Sequence, residues 1–296
     1  MNAFTNKVGS LGLGLLLAGV AVGGVASRAE GAEVRRVSER LIPFPPGGEV
    51  RIEDKNGRIT VEGWSRNEVR IQATRVVRAE GNAKAEELMK ELKSEVEVRN
   101  GRIDIMSRFP RRRESIGIWD ILGRKVASLQ INYYVQVPTK TDLVLETSNG
   151  EVRIHGLEGQ LDAKTTNGDM RVGEVKGDVT LNTTNGEIEL TGVSGGATAV
   201  TTNGSVVADV RGVSPKGGIE LGTTNGNVEA YFPGTLKATL EATTTNGRVS
   251  IVFPVAVEGT TSSKSIRGTI NGGGAKITLS TTNGNVDVRR AGERRK

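Results

Sequence analysis

The chain has 296 residues, a formal net charge of +6, 40 glycines, 3% aromatic residues and no cysteine. These values exclude a core of large rings and any stabilisation by disulfides. The 34 acidic residues are interspersed among the 40 basic ones, which argues against a nucleic-acid-binding face.

Residues 1–27 are predicted to be a signal peptide. Lys7 precedes an uncharged, leucine-rich stretch that ends in the small residues Ala26 and Ser27, as secretory signals do. We expect cleavage near residues 26–32 and a protein that is exported to the periplasm, the cell surface or the medium. The alternative is an uncleaved anchor, because a stretch of about 20 uncharged residues just suffices to span a bilayer.

Residues 33–145 are predicted to form a β-rich N-terminal part. Alternating apolar residues indicate strands between residues 49 and 77, with Asn56-Gly57 as a turn, and further strands near residues 96–105 and 129–137. A helix is expected near residues 83–93, capped by Asn82, because four apolar residues follow a helical spacing. These residues are Ala85, Leu88, Met89 and Leu92.

Residues 108–125 look like a basic insertion into this part. Arg111, Arg112 and Arg113 precede an apolar cluster that includes Trp119. Such a segment could contact an anionic membrane surface or a partner protein. The favoured alternative is that it caps an exposed end of a repeat array, since such arrays need atypical end units.

A repeat dominates residues 146–289, and a basic tail follows at residues 290–296. The tetrad Thr-Thr-Asn-Gly occurs six times after one Thr-Ser-Asn-Gly variant, first at intervals of 18 residues and then at 22, 21 and 37. We interpret the Asn-Gly pairs as structural turns. They are Asn149, Gly150, Asn167, Gly168, Asn185, Gly186, Asn203, Gly204, Asn225, Gly226, Asn246, Gly247, Asn283 and Gly284.

The apolar residues between the turns recur at the same offsets with a period of two. This pattern indicates two short strands per repeat, each with one buried face. Identical offsets favour stacking of each coil on its copy over a meander of hairpins. The sequence therefore predicts an all-β protein with one short helix, a single-stranded parallel β-solenoid of about 18-residue coils, in which Leu181 lies between Ala163 and Ala199.

The tetrad suits the corner of such a coil. Glycine adopts positive φ at no cost, and asparagine tolerates left-handed geometry. Stacked asparagines can form a hydrogen-bonded ladder, and of two adjacent threonines one faces inward and one outward. The outward threonine rows could instead serve as a binding surface, for example for ice.

The N-terminal strands carry a family resemblance. Residues 48–52, 56–64 and 68–71 resemble the opening of the bacterial putative adhesin family, also called Toastrack domains, and residues 143–150 are similar to the family's entry into its repeats. The resemblance covers nearly all of the chain after residue 32. It implies an exported or membrane-tethered β-solenoid with cell-envelope functions and no established catalytic residues.

The sequence offers little that resembles catalytic chemistry. His155 is the one histidine, and no zinc-ligand set or nucleophile motif accompanies it. Glu151, Asp169 and Glu187 share one repeat offset and could form an acidic stripe, although later repeats break it. A calcium or glycosidase-type site is the weaker interpretation of these carboxylates.

We therefore expect a non-enzymatic envelope protein with a structural, adhesive or binding role, and no metal, cofactor or nucleic acid. The partner could be an envelope polymer, a membrane surface or another envelope protein. The alternative is a solenoid enzyme or lectin that acts on polysaccharide, but an enzyme would need two close carboxylates, and the aromatic platforms typical of sugar sites are lacking from the regular 18-residue coils.

Overall fold

The β-branched and small apolar residues that alternate along the chain form strands with one buried face. The structure, a computed structural model, describes residues 31–110, 128–214, 217–257 and 262–292. Its elements are β1 (Ala32–Pro43), β2 (Gly48–Glu53), β3 (Ile59–Trp64), β4 (Glu68–Ala79), α1 (Asn82–Glu91), β5 (Lys93–Arg99), β6 (Arg102–Arg108), β7 (Ser128–Pro138), β8 (Thr141–Glu146), β9 (Val152–Glu158), β10 (Leu161–Lys164), β11 (Met170–Lys176), β12 (Val179–Asn185), β13 (Ile188–Gly195), β14 (Ala197–Asn203), β15 (Val206–Val213), β16 (Ile219–Asn225), β17 (Val228–Phe232), β18 (Ala238–Asn246), β19 (Val249–Ile251), β20 (Val255–Val257), β21 (Ser265–Ile270), β22 (Ala275–Asn283) and β23 (Val286–Arg290).

The strands form two sheets. Within the described residues, sheet A has 11 strands in the order β1-β4-β7-β3-β9-β11-β13-β15-β17-β23-β19, and sheet B has 12 in the order β20-β21-β18-β22-β16-β14-β12-β10-β8-β2-β6-β5. In the stacked coils each coil gives one strand to each sheet and pairs in parallel with its neighbours, which confirms the predicted β-solenoid. The expected column is present as well, because Leu181 pairs with Ala163 on one side and with Ala199 on the other.

The core is the slot between the two sheets. Inward valine, isoleucine, leucine and alanine side chains of both sheets are almost completely buried along the whole stack. At about 25 cal/mol per Å² of apolar surface removed from water, this slot is the main source of stability.

The coils do not stack throughout in chain order, and the expectation that each coil lies on the next is wrong in two places. The coil of β22 and β23 lies between that of β16 and β17 and that of β18 and β19. At the other end, the strands β6 and β7 lie outside the earlier coil of β2 and β3. A shared register lets any two coils pair, so sequence order alone does not fix their order in the stack.

Antiparallel strands and one helix close the ends. β1, β4 and β7 run antiparallel to one another in turn, as do β5 and β6, and β20 and β21 run antiparallel at the opposite end. α1 packs on β1 and β4 and buries Ala85, Met89 and Leu92. Asn82 is the first helical residue and the cap is Gly81, which corrects the predicted Asn82 cap.

Among the described residues, no helix is both long enough and apolar enough to cross a membrane.

Candidate functional site

The Asn-Gly turns lie in one corner row of the solenoid. The asparagines stack in the order Asn149, Asn167, Asn185, Asn203, Asn225, Asn283 and Asn246, and from Asn167 onward the amide nitrogen of each donates to the amide oxygen of the one before it at 2.8–2.9 Å. Asn56 continues the row through a parallel bridge to Asn149. The row therefore commits most of its amide groups to the stack itself.

The glycines of these turns stack with almost no space between them. A Cβ atom built on Gly186 would lie 2.1 Å from the carbonyl oxygen of Gly168, and one on Gly204 would lie 2.1 Å from that of Gly186. Glycine is thus needed for the close approach of backbone to backbone. At Gly168 and Gly204 the φ angles of 152° and 142° add to this requirement.

The threonine pairs split between the two sides of sheet B. The first threonine is buried, and in five coils its hydroxyl donates to the carbonyl of a turn glycine, as Thr201 does to Gly186 at 3.0 Å. The second threonine is exposed in every coil. Each tetrad therefore places one threonine side chain inside the fold and one in contact with solvent.

The outer face of sheet B presents a flat array of small polar side chains. We define the hydroxyl face as three rows of outward residues that cross β12, β14, β16, β22 and β18; the exposed Lys276 of β22 lies beside these rows. Glu220 and Glu241 are its charged members. The rows are Thr184, Thr202, Thr224, Thr282 and Thr245; Asn182, Val200, Gly222, Ser280 and Thr243; and Thr180, Thr198, Glu220, Thr278 and Glu241.

The outer face of sheet A is charged instead. Arg58, Arg153 and Arg171 all form ion pairs with the half-buried carboxylate of Glu151. A shallow groove runs beside them, where Gly173 leaves room for the exposed ring of His155. The two outer faces of the solenoid therefore offer different chemistry.

Of the three acidic residues after the turns, Glu151 and Asp169 use their carboxylates within the stack. Glu151 holds the three arginines, and the Asp169 carboxylate accepts the backbone N–H of Glu187 at 3.0 Å. In later coils Ser205, Asn227 and Asn285 take over the same task of accepting an N–H of the neighbouring coil. Within the part of the chain that the structure describes, no three Asp, Glu, His or Cys side chains are arranged to hold a metal ion.

A polar cluster is buried near the N-terminal end of the slot. The hydroxyl of Tyr133 contacts those of Ser94 and Ser107 at 3.0 and 2.9 Å. Neither carboxylate oxygen of the buried Asp54 has a hydrogen bond of good geometry within the described residues. Burial raises the pKa of the Asp54 carboxyl, and the nearby Ser107 hydroxyl and the N–H groups of Lys55 and Asn56 offset only part of this effect.

Asp54→Asn is expected to stabilise the fold at neutral pH by about 1 kcal/mol, because an amide does not ionise and so avoids the burial penalty that raises the pKa of the Asp54 carboxyl. A carboxyl with a raised folded-state pKa contributes its full stability below its unfolded pKa and loses it as the pH rises through the folded pKa. The advantage of Asp54→Asn should therefore vanish below about pH 4. Urea unfolding at acidic and neutral pH measures it.

Asp162→Asn is the matched control, since Asp162 is exposed on β10. It should change stability by less than about 0.5 kcal/mol at either pH. A gain for Asp54→Asn that is the same at both pH values would contradict a raised pKa of the Asp54 carboxyl in the folded protein.

The remaining sequence-predicted surface residues, Arg111, Arg112, Arg113 and Trp119, lie outside the described residues. Sequence reasoning offered the outward threonines of the tetrads as an alternative binding surface, but it missed the other rows of the hydroxyl face and the arginine cluster on Glu151. The signal for both is present in the repeats, because the outward positions of one strand are mostly Thr, Ser and Asn, whereas those of the other are mostly charged.

Comparison with known proteins identifies a family. The family model of Toastrack DUF4097 matches residues 141–289. No curated protein matches the chain. A solved structure of a putative adhesin from Bacteroides fragilis is similar over 86% of this chain and 96% of its own, at 10% identity and a TM-score of 0.36.

Two other solved structures share this degree of similarity. A putative cell adhesion protein from Clostridium sporogenes covers 86% of this chain and 99% of its own, at 10% identity and a TM-score of 0.32. A putative lipid binding protein from Parabacteroides distasonis covers 86% and 96%, at 9% identity and a TM-score of 0.24. Likeness at these values carries no argument about function.

Proposed function

The chain belongs to the Toastrack DUF4097 family, and from its two unlike outer faces we propose that it is an exported, non-enzymatic protein of the cell envelope that binds an uncharged envelope polymer through the hydroxyl face. Export rests on the basic start and apolar stretch of residues 1–27. The binding role rests on the chemistry of the solenoid surface.

The observation that carries the proposal is the regular array of exposed hydroxyls. Strands of a sheet lie about 4.8 Å apart, so the row that contains Thr202 presents one hydroxyl at each such step. A polymer with hydroxyl or amide groups along its length can meet several of them at once. One net hydrogen bond contributes only about 0.5–1.5 kcal/mol, but a row of them sums to useful affinity.

The flatness of the face favours an extended ligand over a small molecule. Small ligands need concave sites that bury most of their surface, whereas here Val200, Gly222 and Ser280 form a strip between two rows in which Gly222 adds no side chain. Val200 is 36% exposed, and apolar contact with a polymer backbone would cover it. Few charged groups interrupt this strip, so an uncharged polymer need not strip water from many ions.

The alternative of a polysaccharide-degrading enzyme has less support. Glycosidases use two carboxylates about 5–9.5 Å apart, one on each side of the scissile bond. The clustered carboxylate on the outer face of sheet A, Glu151, is held by three arginines. A lectin that only binds the polysaccharide would be compatible with the hydroxyl face.

Val200→Lys is the test, because it places a charged, mobile chain in the centre of the face. Co-sedimentation with insoluble, uncharged cell-wall polysaccharide measures binding, and we expect a loss of about ten-fold or more, equal to about 1.4 kcal/mol. The same substitution at Val207 is the control, since Val207 is half-buried on the opposite outer face. Equal binding by both variants and the unchanged protein would overturn the proposal.

A further inference from the structure

The first strand of sheet A is a long edge. β1 pairs with β4 over twelve residues without a bulge, and no described strand pairs with its other side. It is also the longest edge strand of either sheet among the described residues, since β5, β19 and β20 are shorter. Such an edge presents unpaired N–H and C=O groups that can template another strand.

The register shows which backbone groups point outward. The N–H of Phe44 donates to the carbonyl of Asn67 at 3.0 Å, which continues the β1–β4 register by one residue. In an antiparallel pair, residues alternate between bonding to the partner strand and pointing away from it. The even-numbered residues of β1 therefore bond to β4, and Glu33, Arg35, Val37, Glu39 and Leu41 turn their backbone groups to the free edge.

We propose that β1 pairs with β1 of a second copy of this chain, antiparallel and centred on Val37, so that sheet A continues through a two-fold axis. In this register Val37 lies opposite Val37 of the second copy. Arg35 then lies opposite Glu39 of the second copy, and Glu39 opposite its Arg35. Opposite charges directly across an antiparallel pair attract each other, whereas like charges there are destabilising.

Charge complementarity selects this register over its neighbours. Centring the pair on Arg35 or on Glu39 places like charges directly opposite each other, and centring it between Arg35 and Val37 places Glu33 opposite Glu39. A symmetric pair makes every off-axis contact twice, so the register centred on Val37 gains two contacts between Arg35 and Glu39, whereas each of the other registers contains at least one contact between like charges. Glu39 also contacts Arg70 at 2.8 Å within its own chain, and its second carboxylate oxygen can accept from Arg35 of the partner copy.

The same edge carries protection against unspecific pairing. Five residues of β1 are charged, namely Glu33, Arg35, Arg36, Glu39 and Arg40. Charge on an edge strand protects against aggregation. Because of these charges, a second strand can pair with β1 only in a register that places opposite charges across from each other. A second copy in the register centred on Val37 meets that condition.

Single cysteines in the full chain test the register, because the chain has no native cysteine and any disulfide must join two copies. For Val37→Cys the two Cα atoms would lie about 5.5 Å apart, within the range of about 4.4–6.8 Å that a disulfide allows. For Leu41→Cys, eight residues of offset separate the two by about 27 Å. Leu41 is 54% exposed, so a cysteine at this position is also accessible to the oxidant.

After mild oxidation of cells that produce the protein, we expect non-reducing gels to show a disulfide dimer for Val37→Cys and at most a trace for Leu41→Cys. Equal cross-linking of both variants, or of neither, would overturn the proposal. A maximum at another position of β1 would also refute the register.

Charge reversal gives an independent readout by sedimentation of the protein purified from those cells. Arg35→Glu should weaken the dimer about ten-fold or more, since two attractive contacts become repulsive, and the double variant Arg35→Glu/Glu39→Arg should restore it. Arg40→Glu, which makes the same charge change opposite Val34 of the second copy, should leave the dimer intact. Thermal unfolding of each variant confirms that it is folded, and a monomer at micromolar concentration before any change would overturn the proposal.

Discussion

Leu181→Asp is expected to destabilise the protein by several kcal/mol, or to prevent folding. Leu181 is completely buried between Ala163 and Ala199 of the adjacent coils. An aspartate there would place a carboxylate in a dry slot among methyl groups, where it must either lose its hydration or take up a proton. Urea unfolding followed by circular dichroism measures the loss.

Glu187→Lys provides the comparison for this variant. Glu187 is exposed, two residues after the Asn185 turn, and a surface change of this kind stays within about 0.5 kcal/mol. If both variants unfolded at the same urea concentration, the inward orientation of Leu181, and with it the stacked coil, would be wrong.

Gly186→Val is the second variant with a large expected effect, a loss of about 3 kcal/mol or more. Its Cβ would lie 2.1 Å from the carbonyl oxygen and 2.5 Å from the carbonyl carbon of Gly168. These atoms belong to backbone that is itself hydrogen-bonded to the Asn185–Gly186 corner, since the N–H of Gly168 donates to the carbonyl of Asn185 at 2.8 Å. The coils must therefore separate locally for the side chain to fit.

Gly212→Val is the matched substitution, because no atom lies within 4 Å of a Cβ at Gly212 and valine suits a strand. Thermal unfolding of the two variants side by side decides. A melting temperature for Gly186→Val as high as that for Gly212→Val would show that the corner rows are not in backbone contact.

The regular coils could be predicted from the sequence, because the repeat spacing sets the length of a coil and the apolar positions set the buried face of each strand. The fixed 18-residue spacing and the shared apolar offsets placed Leu181 in register with Ala163 and Ala199, as the structure has it. The Asn-Gly pairs marked the corners, since few other dipeptides permit such close stacking. Helix α1 was also predictable, to within about two residues at its end, from its apolar spacing.

The order of the coils in the stack could not be predicted from the repeat. Every coil presents the same pattern of inward residues, so β22 can pair with β16 or with β18 at similar energy, and it pairs with both. The long interval before Asn283 showed only that something interrupts the repeat. What interrupts it is the β20–β21 hairpin, whose position depends on contacts between residues far apart in sequence.

Part of the candidate site could also be predicted from the sequence. The outward rows that include Thr184 and Thr202 follow from the alternation of the strands, and they were foreseen as an alternative binding surface. The ion-pair cluster of Glu151 was not foreseen, because Arg58 reaches it from a coil that lies 93 residues earlier in the chain. Asp54 occupies the place of the buried threonine in its coil, a substitution that the shorter N-terminal pattern concealed.

The interleaved coils make the assembly of the stack dependent on the synthesis of β22 and β23. The strands β18 and β19 leave the ribosome, or an export channel, before β22 and β23, yet they have no parallel neighbour until that later coil enters between them and β16 and β17. Until then the apolar sides of Leu240 and Ala242 lack the neighbours Ile277 and Leu279. This end of the stack therefore forms in one late step. Without β22 and β23, the strands β18 and β19 would lack their parallel partners.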